Sequence, residues 1–418
     1  MNSTDKLLLN SLLPTAASAA RLRQLDWSTI DWSATIRRAE FHSIASLLRF
    51  NLAKAELLDF VPETERVQLR ATSQTWAARH LAYVSEAARL IKALNAERIT
   101  AIPLKGAALM LGGYYPQAGL RAALDIDLLV APDDQPRADE IVAALGYEDL
   151  PGRRAVPTRQ RLANEVNHLW PRRGPGGLIL ELHRRAFQFA QRERDFTFDE
   201  VRDRAVPVSV SGMELLLPSP TDLAFHLVHH TLVDLQTTKA ILRTIADLHF
   251  IFAAFPETSE TMIRQADEFG FGGSARLANE LVTLLAEASP QELDAAVNDE
   301  RFRLALETAL TEETLPLADA ARLFEYLDFS RQPLTKLGNL VSLLFTSRQH
   351  MEQLYGQTQQ ISVYWNYLRR PVDLLRKFDR AGFSPANLWR VWRLRKLARG
   401  NDEWRDGETG GTERQRER

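Results

Sequence analysis

A chain of 418 residues, 45% hydrophobic and 25% charged, has the composition of an ordinary globular protein and a length beyond what one hydrophobic core usually organises, so two or three packed units are expected. A formal net charge of -2 excludes a global pull toward nucleic acid or anionic membrane and leaves any such preference to local patches. The absence of cysteine excludes disulfides and thiolate metal sites.

At the N-terminus, Lys6, the run Leu7-Leu8-Leu9 and the small residues Ala16 to Ala20 share features with a secretory signal, but Asp5 cancels the lysine and Asn10 breaks the apolar run. A cytoplasmic protein is expected. No stretch approaches the ~20 apolar residues that a membrane-spanning helix needs. From about residue 27 to 97 apolar residues recur at helical spacing, as in Ile44, Leu47, Leu48 and Leu52, then Leu81, Val84, Ala88, Leu90 and Leu94. Around Ile99 the pattern changes to short apolar runs between turn residues: ITAIPL, LDIDLLV, GLILELH, VPVSV and MELLLP. These read as strands.

A short helix is expected from near Gly106 and another between Pro132 and Gly146. Residues 165–170 and 178–183 suggest a hairpin across a Gly/Pro-rich turn, and 206–210 with 213–217 a second one across Ser211-Gly212. After Pro218 a Ser219 cap and Pro220 restart helix, which continues to about residue 400. The expected organisation is a helical region over 1–98, a mixed-sheet core over 99–217, a helical region with a basic end over 218–400 and a disordered tail over 401–418. The fold class is α+β.

In LDIDLLV the alternation of a strand puts Asp125 and Asp127 on one face, about 7 Å apart, and Ile126, Leu128 and Val130 on the other. Two such carboxylates are either simply solvated at a strand edge or share a cation, and magnesium suits hard oxygen ligands on a rigid strand. Context favours the cation. Upstream, a strand runs into Lys105-Gly106 and a helix, an arrangement that aims amides and an ammonium at phosphate. Downstream, Glu181 offers a third acid on another strand, completing the template of a two-metal site.

The run from Ile99 to Val130 resembles the signature of an uncharacterised bacterial nucleotidyltransferase family of the DNA polymerase beta-like superfamily. The matching positions are Leu104-Lys105-Gly106, Tyr114 or Tyr115, Arg121 and Asp125-Ile126-Asp127. Weaker similarity extends to His42, to Glu181 and His183, and to the helices near Asp222, covering half to two-thirds of the chain. The resemblance implies a small polymerase beta-like core embedded between helical regions. It also implies transfer of a nucleoside monophosphate from an NTP, with ATP expected, to a hydroxyl of a small-molecule, peptide or protein acceptor.

On that resemblance Asp125, Asp127 and Glu181 hold two Mg2+ ions, and Glu181 helps deprotonate the acceptor. Gly106 admits the triphosphate, while Lys105 and Arg121 neutralise the leaving pyrophosphate. Two departures from the superfamily pattern stand out: Ala107 where a serine or glycine is usual, and Glu181 where aspartate is commoner. They keep open a catalytically inactive nucleotide binder, or an adaptor working through its helices.

Other residues carry weaker signals. His183 shares a strand face with Glu181 and either borders the site, touching nucleotide, or is a structural histidine at a strand end; the same choice applies to His168. His226, His229 and His230 fit packed or solvated histidines better than a metal site. Lys239, Arg243 and Asp247 recur every four residues, a ladder facing solvent or the site. The stretch Arg369 to Arg399, with Trp365, Trp389 and Trp392 interleaved, suits an anionic partner or arginine stems over buried tryptophans.

Overall fold

The computed structural model describes residues 1–150, 169, 171–186, 196–210, 212–233 and 240–311, with residues 365–369 and positions 372, 389, 392 and 393. His168, Ser211, Lys239, the tail from 401 to 418 and most of the Arg369–Arg399 stretch lie outside the described residues. The first five helices are α1 (Ser3–Asn10), α2 (Ala16–Arg23), α3 (Trp32–Phe41), α4 (Ala45–Lys54) and the 34-residue α5 (Glu63–Ala96). Asn2, Thr15 and Asp31 cap α1, α2 and α3 by accepting from the first-turn amides. The run Leu7-Leu8-Leu9 is wholly buried, so its apolar character is that of a core helix.

On α5 the inward row is Tyr83, Ala87, Leu90, Ile91 and Leu94, at the spacing of one helix face. Leu81, expected inside, is 67% exposed because it falls outside that row. Five strands follow as one mixed sheet in the order β1-β2-β5-β4-β3: β1 (Ala101–Pro103), β2 (Asp125–Val130), β3 (Glu148–Asp149), β4 (Arg172–Arg173) and β5 (Ile179–His183). The sheet is antiparallel except where β2 runs parallel to β5. Helix α6 (Lys105–Leu111) connects toward β2, and α7 (Gln135–Ala144) follows it. Of the segment 165–170 expected opposite β5, residues 165–168 and 170 lie outside the described residues; Leu169 donates its amide to the Leu182 carbonyl at 2.8 Å, and β4 continues the antiparallel pairing with β5.

The sheet has two different faces. Ile126, Leu128, Val130, Leu180 and Leu182 pack with the inward row of α5 and with Ala138 and Val142 of α7. The opposite face carries Asp125, Asp127 and Glu181 and turns toward the later helices. After α8 (Phe198–Arg204) and the hairpin of β6 (Val206–Val210) with β7 (Met213–Leu217) come α9 (Pro220–Val228), α10 (Ala240–Ala254), α11 (Thr258–Glu268), α12 (Gly272–Glu287), α13 (Pro290–Asn298) and α14 (Glu300–Ala309). Ser219 caps α9 as its sequence suggests, accepting from the Asp222 amide at 3.1 Å.

Sequence periodicity does not reveal that the two helical regions share one core. Leu7, Leu22 and Leu48 lie in the same apolar cluster as Phe225, Leu248 and Leu281. Buried Arg21 seals the junction, donating to Asn10 Oδ1 at 2.8 Å and to the carbonyls of Leu285 and Ala288, which otherwise end α12. Helices from both ends of the described chain therefore close over the acidic face of the sheet. No helix among the described residues is long and apolar enough to cross a membrane.

The long connection from α6 to β2 is fastened to α5 at Gly119. Its φ is +82°, and a Cβ there would lie 2.4 Å from the Ala77 nitrogen and 2.7 Å from its Cα. Both the left-handed backbone and the close approach require glycine. Gly119→Ala is expected to destabilise the protein by about 2–4 kcal/mol, combining strain and overpacking, as measured by chemical denaturation. An unchanged midpoint would show that the connection is not fastened at this point.

Candidate active site

At the end of β1 the Leu104 amide donates to the Asp127 carbonyl at 3.0 Å, and the chain then turns sharply into α6. Lys105 makes that turn with φ +47°, a conformation uncommon outside glycine and a sign of a constrained position. The turn carries its side chain over β2, where Nζ donates to Asp127 Oδ1 at 2.8 Å. The Leu104-Lys105 segment is thus joined to Asp127 twice, by the Leu104 amide and by the Lys105 side chain.

The parallel register pairs Asp127 with Glu181 and Leu129 with His183, so alternation puts Asp125, Asp127, Glu181 and His183 on one face. His183 Nε2 lies 2.9 Å from Asp127 Oδ1 and 3.4 Å from Glu181 Oε2. One ligand atom from each of Asp127, Glu181 and His183 falls within 4.8 Å of the others. Two carboxylates and an imidazole so placed can hold a divalent cation.

The expected trio of Asp125, Asp127 and Glu181 is therefore arranged differently. Asp125 pairs with Ile179, one alternation earlier, and its side chain opens to solvent at the rim; the third close donor is His183. Tyr83 of α5 fixes this end of the strand by donating to the Asp125 carbonyl at 2.6 Å.

The electrostatics follow from burial opposed by pairing. Burial would raise the Asp127 carboxyl, but Lys105 and His183 together hold it well below the usual carboxylate range. Burial would likewise lower the Lys105 ammonium and the His183 imidazole, yet the surrounding carboxylates leave both above their ordinary values. Asp125 goes the other way: its surroundings desolvate it and Asp127 repels it, so its carboxyl is raised. A carboxyl that resists ionisation at the rim of an acidic recess is suited to a cation.

Beside this recess, Arg121 points beneath the Lys105-Gly106 turn. A Cβ on Gly106 would meet its terminal nitrogens at 3.7 Å and the Ala123 Cβ at 3.2 Å. Arg121 Nε donates to Asp247 Oδ1 at 2.7 Å and its NH1 to the Ala122 carbonyl at 2.7 Å. Of the two adjacent tyrosines, Tyr115 is the one that reaches this cluster, donating to the same Asp247 oxygen at 2.5 Å, while Tyr114 packs on Phe255. Asp247 is fully buried, so of the two faces open to it in the sequence it takes the inward one; Lys239 lies outside the described residues. The reason is tertiary: α10 packs among the helices of the shared core, and most of its residues are buried there.

His226 on α9 and His230 just beyond it, read from the sequence as packed or solvated, lie within the field of Lys105. His226 and His230, with ring centroids 6.3 Å apart, are held well below the usual histidine range by burial and by the Lys105 charge, so they are neutral. A π-helical turn, His229–Val233, sets them there, and Thr231 bonds Thr244 at 2.8 Å to tie that turn to α10. Asp222, in the first turn of α9, accepts from Arg204 at 2.9 Å and from Gln265 at 2.8 Å. His42 is wholly buried with its ring edge-on to Phe41.

A family model described as an uncharacterised nucleotidyltransferase matches residues 28–287, more than half of the chain. The chain belongs to that family. The match runs from the turn before α3 to the end of α12, so it contains every residue placed around Asp127 above. A comparison with curated proteins finds no match. The fold of this nucleotidyltransferase is the helical α+β arrangement with a small mixed sheet that the sequence implies. Ala107, which departs from the superfamily turn, is buried with Ile126 and Leu128 on the opposite side of α6 from the recess. A serine hydroxyl at 107 would face that core, so its absence removes nothing from the acidic face.

Proposed function

We propose that the recess around Asp127 binds a metal-complexed NTP and transfers its nucleoside monophosphate to a hydroxyl of a small-molecule, peptide or protein acceptor, with ATP the expected donor. One observation carries this: in a chain of the nucleotidyltransferase family, a buried aspartate is the meeting point of a lysine, a histidine and a second acid. Asp127, Glu181 and His183 would hold a divalent cation, with Asp125 at the rim serving a second. Bound magnesium would supply Lewis-acid polarisation of the phosphoryl oxygens.

In the transfer, the acceptor oxygen forms a bond to the α-phosphorus while the bond from that phosphorus to the bridging oxygen breaks, its electron pair leaving on pyrophosphate. The acceptor proton passes to a carboxylate, for which Glu181 is suited because its side chain keeps 21% of its surface open. Lys105, now on Asp127, is the mobile cation nearest the charge that develops on the leaving group. Arg121 and Asp247 hold the Gly106 turn from below, so their contribution is placement. A cytoplasmic setting goes with this reading.

The basic C-terminal stretch is proposed as the surface for an anionic partner. Its tryptophans support this, since Trp365, Trp389 and Trp392 are 68%, 49% and 47% exposed and so are not the buried set that the alternative needs. Arg393 pairs with Glu300 at 3.0 Å and lies over the Trp389 ring.

The test of the transfer is positional. With each NTP labelled in turn at the α and γ phosphorus, and with Mg2+ and a cell lysate, the expected product carries the α label and free pyrophosphate accumulates. Transfer of the γ label alone would make the protein a kinase. Failure to transfer either label from any NTP would favour the adaptor.

A further inference from the structure

Among the described residues, two cations near the acidic face are engaged: Lys105 on Asp127 and Arg121 on Asp247. A third is Arg243, on α10 one turn before Asp247. Its side chain is half-buried with Nε fully covered, and among the described residues it makes no hydrogen bond or ion pair. Burial and the Arg121 charge lower its guanidinium to about 10, against weaker support from Asp247 and Asp125. Asp247 is bonded to Arg121 and reaches Arg243 only through its field, which leaves positive charge on a half-buried guanidinium whose Nε is covered. A protein that keeps such a charge without a partner does so at a cost to stability, and the missing partner is an anion.

The position identifies the anion. Asp125, at the open rim, also makes no side-chain hydrogen bond or ion pair among the described residues, and its carboxylate and the Arg243 guanidinium sense each other's charge without forming one. An acid and a guanidinium within electrostatic range of one another suit a cation-bearing polyphosphate, its metal toward Asp125 and its oxyanions toward Arg243. A guanidinium fork matches phosphate oxygens, and a bound phosphate would also satisfy the covered Nε.

We infer that Arg243 anchors the two terminal phosphates of the triphosphate, the part that departs as pyrophosphate; this rests on the NTP reading of the recess. Arg121 stays on Asp247 as a positioning residue. Arg243 is then the residue by which the site tells a triphosphate from a monophosphate.

The test is calorimetric titration, in the presence of Mg2+, of NTP, the corresponding monophosphate and inorganic tripolyphosphate into the wild-type chain, R243Q and R243K. R243Q should weaken NTP and tripolyphosphate by roughly 10–100-fold, the range of a hydrogen-bonded charge, and leave the monophosphate unchanged. R243K should recover part of the loss. Without ligand, R243Q should melt no lower than the wild type, because it removes an unpaired cation; this separates loss of binding from loss of fold. Equal binding of tripolyphosphate by R243Q and wild type, or an equal loss for the monophosphate, would overturn the inference. If the wild type binds tripolyphosphate through Arg243 but no nucleotide, the NTP reading falls and the anchor stands. If NTP is bound and turned over alike by both chains, the anchor falls and the reading stands. If the wild type binds neither, both fall.

Discussion

Asp127→Asn should lower nucleotidyl transfer on the order of 10³-fold, the scale of losing one preorganised charge at a reacting phosphate. It should also destabilise the chain, which separates Asp127 from an ordinary surface ligand. Its carboxylate is 1% exposed and is the shared partner of Lys105 and His183, so the amide leaves two cations in a covered place without their anion. Removing one partner of a buried ion pair costs about 3–5 kcal/mol, and residual attraction from Asp125 and Glu181 puts the expected loss at the lower end. The double variant Asp127→Asn with Lys105→Met should regain much of the stability and none of the activity.

The pH dependence has two limbs, expected for the metal-free chain in the presence of chelator. Asp127 is depressed in the folded state, so its stabilisation is present above the unfolded value of about 3.9 and is lost as pH falls through the lower folded value. His183 is raised, so its contribution is full below about 6.5 and is lost as pH rises through its folded value. Stability measured by denaturation should therefore be highest between these limits, and Asp127→Asn should flatten both limbs. A variant with wild-type stability, pH profile and activity would remove Asp127 from the centre of the site.

Asp247→Ala should be the most destabilising substitution outside the sheet. It leaves Arg121 and Arg243 side by side with no counter-charge and strands the Tyr115 hydroxyl, for an expected loss of about 3–5 kcal/mol. Adding Arg243→Met should restore part of this, since one of the two repelling cations is gone, whereas the effects would simply add if the residues were independent. Thermal or denaturant unfolding of the four chains of that cycle measures the coupling. Absence of coupling would mean that Arg243 does not sense the Arg121 cluster.

The parts of the site set by local rules are legible in the sequence. Alternation alone places Asp125 with Asp127 and Glu181 with His183, and the change of pattern at Lys105-Gly106 marks the turn. What alternation cannot give is that β5, some 50 residues later, lies parallel beside β2 in the register that sets Glu181 against Asp127. Asp247 marks the limit of local reasoning: four-residue spacing of charges leaves a helix face open either to solvent or to the site, and only the packing of α10 in the shared helical core turns it inward. His226 and His230 stand out in the sequence, but that they feel the Lys105 charge depends on tertiary packing and, for His230, on a π-helical turn that has no sequence signature.

The most direct measurement on the central claim is a crystal structure of the chain with Mn2+ and a non-hydrolysable NTP, with anomalous scattering used to locate the metal. The predicted result is manganese bound by Asp127 and Glu181, with the triphosphate between Asp125 and Arg243 and its α-phosphorus open to an acceptor. Manganese and nucleotide bound away from Asp127, or nucleotide bound with its phosphates turned from the acidic face, would contradict it.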